Sequence, residues 1–412
     1  MLTVSSDSGY VEDAFGWASQ RALDWVQTTV QTGDGTPGNL PSYWAGYPSR
    51  DMFYSRDICH QAAGAHLLGL DAENFAMFRH FARSATPARK WFPIWAFHFD
   101  GRIAALDYHN DEHFVREIPA VFDLCYRALE QYDWTGDRRW LDDPDLAAYY
   151  ETSVGEFVTA HDADGDGIPE AGGTADIFLG TATYNEREAP LLIAGDGLAT
   201  QYAVLRKLGR DAAADRIQAT YQSWWNGEQF ARGVTKEGLD FDWGLESHTL
   251  AALFGITGSG ERNERFLDYC EAKMASNPPL NIESKSYYPE LLFKNGRDES
   301  AWSWTKQLID SRDDYPEISF TVVDHLVVGL LGLRPQAGAA LTIESHLPQE
   351  IGRLTADHVR IGDWDLCITQ EARRCTEVTV HSGPGPLTVT VGTATHLIQP
   401  GETVRVETKD PS

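Results

Sequence analysis

Four stretches of the chain set carboxylates beside aromatic and basic residues just ahead of an apolar periodicity. The first is Pro48-Ser49-Arg50-Asp51-Met52-Phe53-Tyr54-Ser55-Arg56-Asp57. Asp57 falls at an expected helix start, where the helix dipole favours a carboxylate. A cap with surface ion pairs would explain that much. The chemical reading is a carboxylate pair, Asp51 and Asp57, with Tyr54 and Arg56, meeting sugar hydroxyls, and with Tyr43, Trp44 and Tyr47 as a stacking face. The second stretch is Ala182-Thr183-Tyr184-Asn185-Glu186-Arg187-Glu188-Ala189-Pro190. A loop carboxylate such as Glu186, beside Tyr184 and Arg187, can be tuned as a general acid, because apolar cover raises its pKa and a cation lowers it. It can equally be a first-turn Glu. The third is Asp313-Asp314-Tyr315-Pro316-Glu317-Ile318-Ser319, where Glu317 either complements a dipole or acts as a general base, with Tyr315 alongside. The fourth, Phe241 to His248, offers Asp242, Trp243 and Glu246 as substrate contacts.

Other chemistries find little support. The run Asp162-Ala163-Asp164-Gly165-Asp166-Gly167 starts like a calcium loop, but its twelfth position is Gly173 instead of the bidentate Glu, so an Asx-rich turn without a tightly held ion is expected. There is no GxxxxGK[ST], HExxH or GxSxG motif. His109 and His113 are four residues apart, but the polar residues between them point to a loop-to-helix transition. No metal set and no cofactor are expected.

The elements that must position these residues are mostly helical. Phe114, Ile118, Val121, Phe122, Cys125, Leu129 and Tyr132 recur at steps of three and four, as do Leu191, Ala194, Leu198, Tyr202 and Leu205, and Phe320, Val323, Val327 and Leu330. About twelve such helices are expected, near 11–31, 57–69, 72–84, 113–135, 146–161, 190–208, 210–226, 245–255, 262–274, 285–293, 296–311 and 319–332. Twelve helices make six hairpins, and six hairpins close into an (α/α)6 toroid with its loops gathered at one mouth. Beyond Leu333-Arg334-Pro335 the pattern turns to alternating short strands, at 341–344, 377–380, 387–391 and 403–406, separated by Gly-Pro turns. The expected architecture is a mainly α catalytic domain over 1–335 and a C-terminal antiparallel β-sandwich over 336–412.

Composition narrows the function further. Hydrophobic residues make up 42% and charged residues 23%, enough apolar material for a large core. The formal charge of −27 repels phosphate backbones and anionic lipid, so neither nucleic acid nor membrane is an expected partner. Five widely spaced cysteines, Cys59, Cys125, Cys270, Cys367 and Cys375, read as buried free thiols. With no basic-then-apolar leader at the N-terminus, they point to a cytoplasmic protein.

Twelve helices with loop carboxylates, followed by a β-sandwich, resemble the six-hairpin glycosidase clan, which includes α-L-rhamnosidases, debranching amylo-1,6-glucosidases and mannosyl-oligosaccharide glucosidases. Tyr54-Ser55-Arg56-Asp57 is similar to the aromatic-x-Arg-Asp turn of the debranching enzymes, and Tyr184-Asn185-Glu186 to the stretch bearing the general acid. Pro316-Glu317 matches the place of the general base, and Gly329 to Pro335 looks most like the rhamnosidases. The rhamnosidase resemblance alternatively places the acid at Asp51. The resemblance implies an exo-acting, inverting glycoside hydrolase with an oligosaccharide or glycoside as substrate. A polysaccharide lyase or sugar epimerase on the same fold, with His60, His98 or His248 available as base, and a non-catalytic sugar binder are the alternatives.

Overall fold

The computed structural model describes residues 1–27, 38–186 and 190–407. Among the described residues, twelve helices have nine residues or more: α1 (Gly9–Asp24), α2 (Ser55–Leu67), α3 (Asp71–Ser84), α4 (Ile118–Thr135), α5 (Pro144–Val154), α6 (Gly195–Lys207), α7 (Asp211–Gln222), α8 (Leu245–Leu253), α9 (Glu261–Ser276), α10 (Ile282–Lys294), α11 (Asp298–Ser311) and α12 (Pro316–Asp324). Each expected helix has its counterpart, although the end of the first, 28–31, lies outside the described residues.

Boundaries shift where local chemistry overrides periodicity. The helix expected from 113 begins at Ile118, because Glu117 is extended and Pro119 occupies the first turn. His109 and His113 therefore sit in a small hairpin, Tyr108–Asn110 against His113–Phe114, and not at a helix start. The segment expected as one helix over 146–161 breaks at Gly155 (φ −113°, ψ −88°) and resumes as a short six-residue helix, Glu156–His161. The helix expected from 190 starts at Gly195, since Ile193–Ala194 is drawn into a strand paired with Gly233–Val234. The last helix passes into a π-helical turn, His325–Gly329, before the strands begin.

The even-numbered helices pack side by side in a closed ring, α2–α4–α6–α8–α10–α12 and back to α2, and the odd-numbered ones form the outer layer. Glycine sets the spacing of two inner neighbours. A Cβ at Gly64 would lie 2.1 Å from the Phe320 carbonyl oxygen, and one at Gly195 would lie 2.2 Å from that of Ser247. Neither position has room for a side chain. Each hairpin runs out along an odd helix and back along an even one, so all six inner helices start at the same end of the ring.

The C-terminal strands are β2 (Leu333–Gln336), β3 (Ala340–Ile343), β4 (Arg353–Ile361), β5 (Trp364–Glu371), β6 (Cys375–Ser382), β7 (Leu387–Val391), β8 (Ala394–Ile398) and β9 (Thr403–Glu407). They form two sheets. The first has the order β1-β4-β5-β6-β9, in which β1 is the N-terminal strand Thr3–Ser6, and it is antiparallel throughout. The second, β2-β3-β7-β8, is antiparallel except for the parallel β3–β7 pair. Leu354, Ala356, Leu366, Ile368, Val378 and Val380 alternate into the core, and their neighbours face out. Four cysteines are buried, but Cys367, expected buried, lies on the outward face of β5 and is half-buried. No helix among the described residues is long and apolar enough to cross a membrane.

Candidate active site

Where the inner helices begin, each brings an acidic residue in its first turn or cap: Asp57 of α2, Glu117 at the cap of α4, Asp196 of α6, Glu246 of α8, Glu283 of α10 and Glu317 of α12. A helix N-terminus favours a carboxylate, and ring closure points six of them at one place. At the centre is Arg56. Its Nη2 lies 3.1 Å from Glu283 Oε1, and its Nη1 lies 3.7 Å from Glu117 Oε1 and donates to the Tyr184 carbonyl oxygen at 3.0 Å. Burial works against the Arg56 charge, and Glu283, Glu117 and Asp57 more than restore it.

Asp57, Glu283 and Glu317 form the deepest part, with one carboxylate oxygen of each within 4.8 Å of the others. The Tyr315 hydroxyl donates to Glu283 Oε2 at 3.1 Å and lies 3.4 Å from Asp57 Oδ1. Glu317 is fully buried and hydrogen-bonds through Oε1 to His60 Nδ1, with Asp57 as its carboxyl neighbour. His60 stacks on Tyr287, ring centres 3.8 Å apart. Burial pushes the His60 imidazole well below its ordinary value, so the ring is neutral.

Among the described residues one arginine faces these six acids and cannot neutralise them all, so protons must make up the difference. Burial and then the Glu283 charge push Asp57 up to about 7, with Arg56 opposing. Burial, Asp57 and Glu283 also push Glu317 well above its ordinary value, and the hydrogen bond between the two carboxyls lowers Asp57 and raises Glu317. Within this coupled pair the proton resides on Glu317. Burial also raises Glu117 well above the carboxylate range, Glu246 to about 7 and Asp196 to about 6. Asp196 is held down partly by the Tyr184 N–H and the Thr183 hydroxyl, both of which it accepts. Glu117 also accepts from Trp95 Nε1 at 3.0 Å, and Trp95 packs edge-on against Tyr54.

Of the residues singled out in the sequence, the structure brings Arg56, Asp57, Tyr184, Glu246, Tyr315 and Glu317 together here. Tyr54 joins through Trp95, and its hydroxyl accepts from Arg50 Nη1 at 2.8 Å. Glu186 is exposed at the rim, close enough for its charge to act on Glu117 and Asp107. Arg187 lies outside the described residues. Asp51 is exposed beside the rim, tied by its carbonyl to His98 Nδ1 at 3.0 Å, and is not part of the ring. Asp242 and Trp243 are not brought in. Asp242 is exposed near Arg232, and Trp243 stacks on His248 and meets Tyr269 of α9. Of the proposed stacking face, Tyr43 and Trp44 are taken by the core, and Tyr47 stays exposed with its edge against Tyr315.

The reading from sequence missed Glu117, Asp196 and Glu283. First-turn acids occur on the outer helices as well, so only ring closure marks out these three. The Asp162 loop folds as an Asx turn, with its Asp162 carboxylate accepting from the backbone N–H of Gly165, Asp166 and Gly167. A cavity of about 300 Å³ lies at the other end of the ring, away from these acids.

No protein-family model matches the sequence, and no curated protein matches it. Solved structures do. A putative kojibiose phosphorylase from human microbiome superposes with a TM-score of 0.67 at 9% identity, over 100% of this chain and 68% of that one. The GH78 family rhamnosidase of Bacillus sp. GL1 gives 0.64 at 12% identity, over 95% of this chain and 42% of that one. A glycosidase solved in complex with glucose gives 0.53 at 12%, over 78% of this chain and 99% of that one. This chain thus spans less than half the length of the rhamnosidase. At these identities the likeness establishes the fold: a six-hairpin glycosidase-type (α/α)6 toroid with a β-sandwich.

Proposed function

We propose that the protein is an exo-acting, inverting glycoside hydrolase, with catalysis at the mouth of the helical domain, 1–335, and the sandwich, 336–412, supporting it. The observation that carries this reading is the ring of six first-turn acids around Arg56. Arg56, Asp57, Glu283 and Tyr315 offer alternating donors and acceptors to the hydroxyls of a terminal sugar. Glu186, at the rim, gives its proton to the glycosidic oxygen. Glu317, at depth, takes a proton from the water attacking the opposite face. A rim acid and a deep base leave the sugar and its water between them, as inversion requires. Glu317 carries the shared proton of its pair with Asp57, so the pair must lose that proton before Glu317 can act. The base is therefore a coupled unit whose titration belongs to both residues.

The acid ring also discriminates among the alternatives. Polysaccharide lyases take anionic uronides and phosphorylases take phosphate, and five buried acids with a half-buried Glu246, set against one arginine among the described residues, oppose both. The test is a panel of nitrophenyl glycosides followed by NMR of the first-formed anomer. Hydrolysis with inversion is expected. Glu186→Gln should slow glycosides with poor leaving groups far more than activated ones, because the latter need little protonation. The same comparison on Asp51→Asn separates the two candidate acids. Full activity of Glu186→Gln on an unactivated glycoside would remove Glu186 from the mechanism. Sugar binding without turnover across the panel would leave a binding protein.

A further inference from the structure

Away from the helical mouth, the outer face of the larger sheet carries two consecutive irregularities. In a regular strand, Asp357 and His358 would face opposite sides. Here the register of β4 on β5 slips, Asp357 pairing with Cys367 and Val359 with Leu366, so His358 is an extra residue. On the other edge of β5 the register slips again, Asp365 pairing with Ser382 and Leu366 with Val380, so His381 of β6 is also extra. Bulges re-aim side chains, and these two bring both imidazoles to one face with ring centres 5.5 Å apart. His358 holds a left-handed backbone, φ 65°, which glycine would adopt without strain.

The contacts among these groups follow the logic of a metal site. His381 Nε2 is 2.7 Å from Asp357 Oδ1. His358 Nδ1 is 3.0 Å from Asp365 Oδ2, which turns its Nε2 towards Asp357 Oδ2, 3.9 Å away. One ligand atom each from Asp357, His358 and His381 lie within 4.8 Å of one another. Two imidazole nitrogens and a carboxylate suit zinc, whereas calcium takes oxygen ligands. A carboxylate on the far nitrogen of a ligating histidine is the usual outer support of such a site. All three residues are partly open to solvent, so an ion has access and room for water as a further ligand.

We infer that Asp357, His358 and His381 form a Zn²⁺ site that ties β4 to β6 across β5, with Asp365 orienting His358. This site is independent of the proposed glycosidase activity. The test is titration of the full chain with ZnCl2 by calorimetry, together with the visible d–d spectrum of the Co²⁺-loaded protein. One zinc per chain is expected, with a melting temperature that rises on zinc addition. His358→Gly suits the bulge backbone and should fold. It and His381→Ala should each weaken Zn²⁺ by about tenfold or more, and Asp365→Asn by roughly 10–100-fold. The double variant, His358→Gly with His381→Ala, should lose binding and the Co²⁺ bands. Absence of stoichiometric zinc uptake by the wild-type chain overturns the inference. So does a double variant that binds as tightly as wild type, or binding abolished only by Asp164→Asn or Asp57→Asn. If the histidines merely clamp the strands, His358→Gly changes the melting temperature and leaves zinc uptake untouched.

Discussion

Where the inner helices begin, six carboxylates share one arginine among the described residues; where they end, cations and acids meet nearly pair for pair. At that second end Arg127 binds Glu290 through two parallel hydrogen bonds of 3.1 and 3.2 Å and reaches Glu130 at 2.9 Å. Lys294 lies 2.9 Å from Glu290, and Lys207 is paired with Asp133. Both ends are built from the same six helices. The difference is one of matching. Paired charges hold the helix ends together and are satisfied without a ligand. The unmatched acids at the mouth are satisfied only by protons or by something that brings donors, as a sugar does. Asp324 is the exception at the second end. It has no cation of its own, and burial and then Glu290 push it up to about 8.

If the mouth serves chemistry and the far end serves stability, single substitutions should divide accordingly. Glu317→Gln should lower kcat by ~10²–10⁴, the usual worth of a positioned acid or base, while keeping substrate binding. Steady-state kinetics beside calorimetry on an uncleaved analogue would show it. Arg127→Met should leave the kcat of the folded protein unchanged and cost up to about 3–5 kcal/mol of stability, because it removes the doubly bonded cation of buried Glu290 and leaves Lys294 alone to hold that charge. Urea denaturation measures that. A large fall in kcat with Arg127→Met, or none with Glu317→Gln, would break the division.

The mouth acids and Glu290 should also respond to pH with opposite sign, Asp324 siding with the mouth because its pKa is raised as well. At the mouth, Asp57, Glu246 and Asp196 have folded pKa values raised to about 7, 7 and 6. The folded state then binds more protons than the unfolded state, so the contribution of the mouth to stability falls as pH rises from about 4 to 7. Glu290 is held well below its ordinary value by Arg127 and Lys294, against the effect of burial. Its contribution is present above the unfolded pKa and is lost as pH falls through the folded one. Asp57→Asn should flatten the decline between about pH 4 and 7 in denaturation series. It should also move the acidic limb of kcat to lower pH, because removing the Asp57 charge lets Glu317 ionise more readily. An acidic limb that stays in place would detach Asp57 from the base.

Helical periodicity made the ring legible, since stripes such as Ile118, Val121, Phe122 and Cys125 must face a core whatever their neighbours. It could not locate the turn at Gly155 or the start at Gly195, where a break in the chain and a strand partner outweigh the apolar stripe. In the site, Asp57, Glu246 and Glu317 stood out because aromatic or basic residues flank them. Glu283 sits in Asn281-Ile282-Glu283-Ser284 and looks like any capped helix start, with Asn281 as its cap. Only closure of the ring sets it against Arg56. Trp243 misled for the converse reason: an aromatic beside two acids is a sugar platform only if it faces the mouth, and this one packs on His248. His358 and His381 have no telling spacing at all, because the two register slips that unite them arise from strand pairing.

The smallest expected effect sharpens the comparison inside the far end itself. Lys207 and Asp133 are paired, with side chains 28% and 23% exposed, whereas the Arg127 side chain is 8% exposed. Water screens the outer pair and not the inner one, so matching alone should not confer stability; burial must accompany it. Lys207→Met should therefore cost no more than about 1 kcal/mol, and added salt should erase most of the difference from wild type. Asp133 also accepts the Ala337 N–H through its carboxylate at 3.1 Å and the Gly338 N–H through its carbonyl at 2.7 Å, so it keeps two contacts with the start of the sandwich when the lysine is gone. Urea midpoints at low and high ionic strength, compared with those of Arg127→Met, test this. A Lys207→Met loss as large as that of Arg127→Met, unchanged by salt, would mean that the outer pair is as enclosed as the inner one.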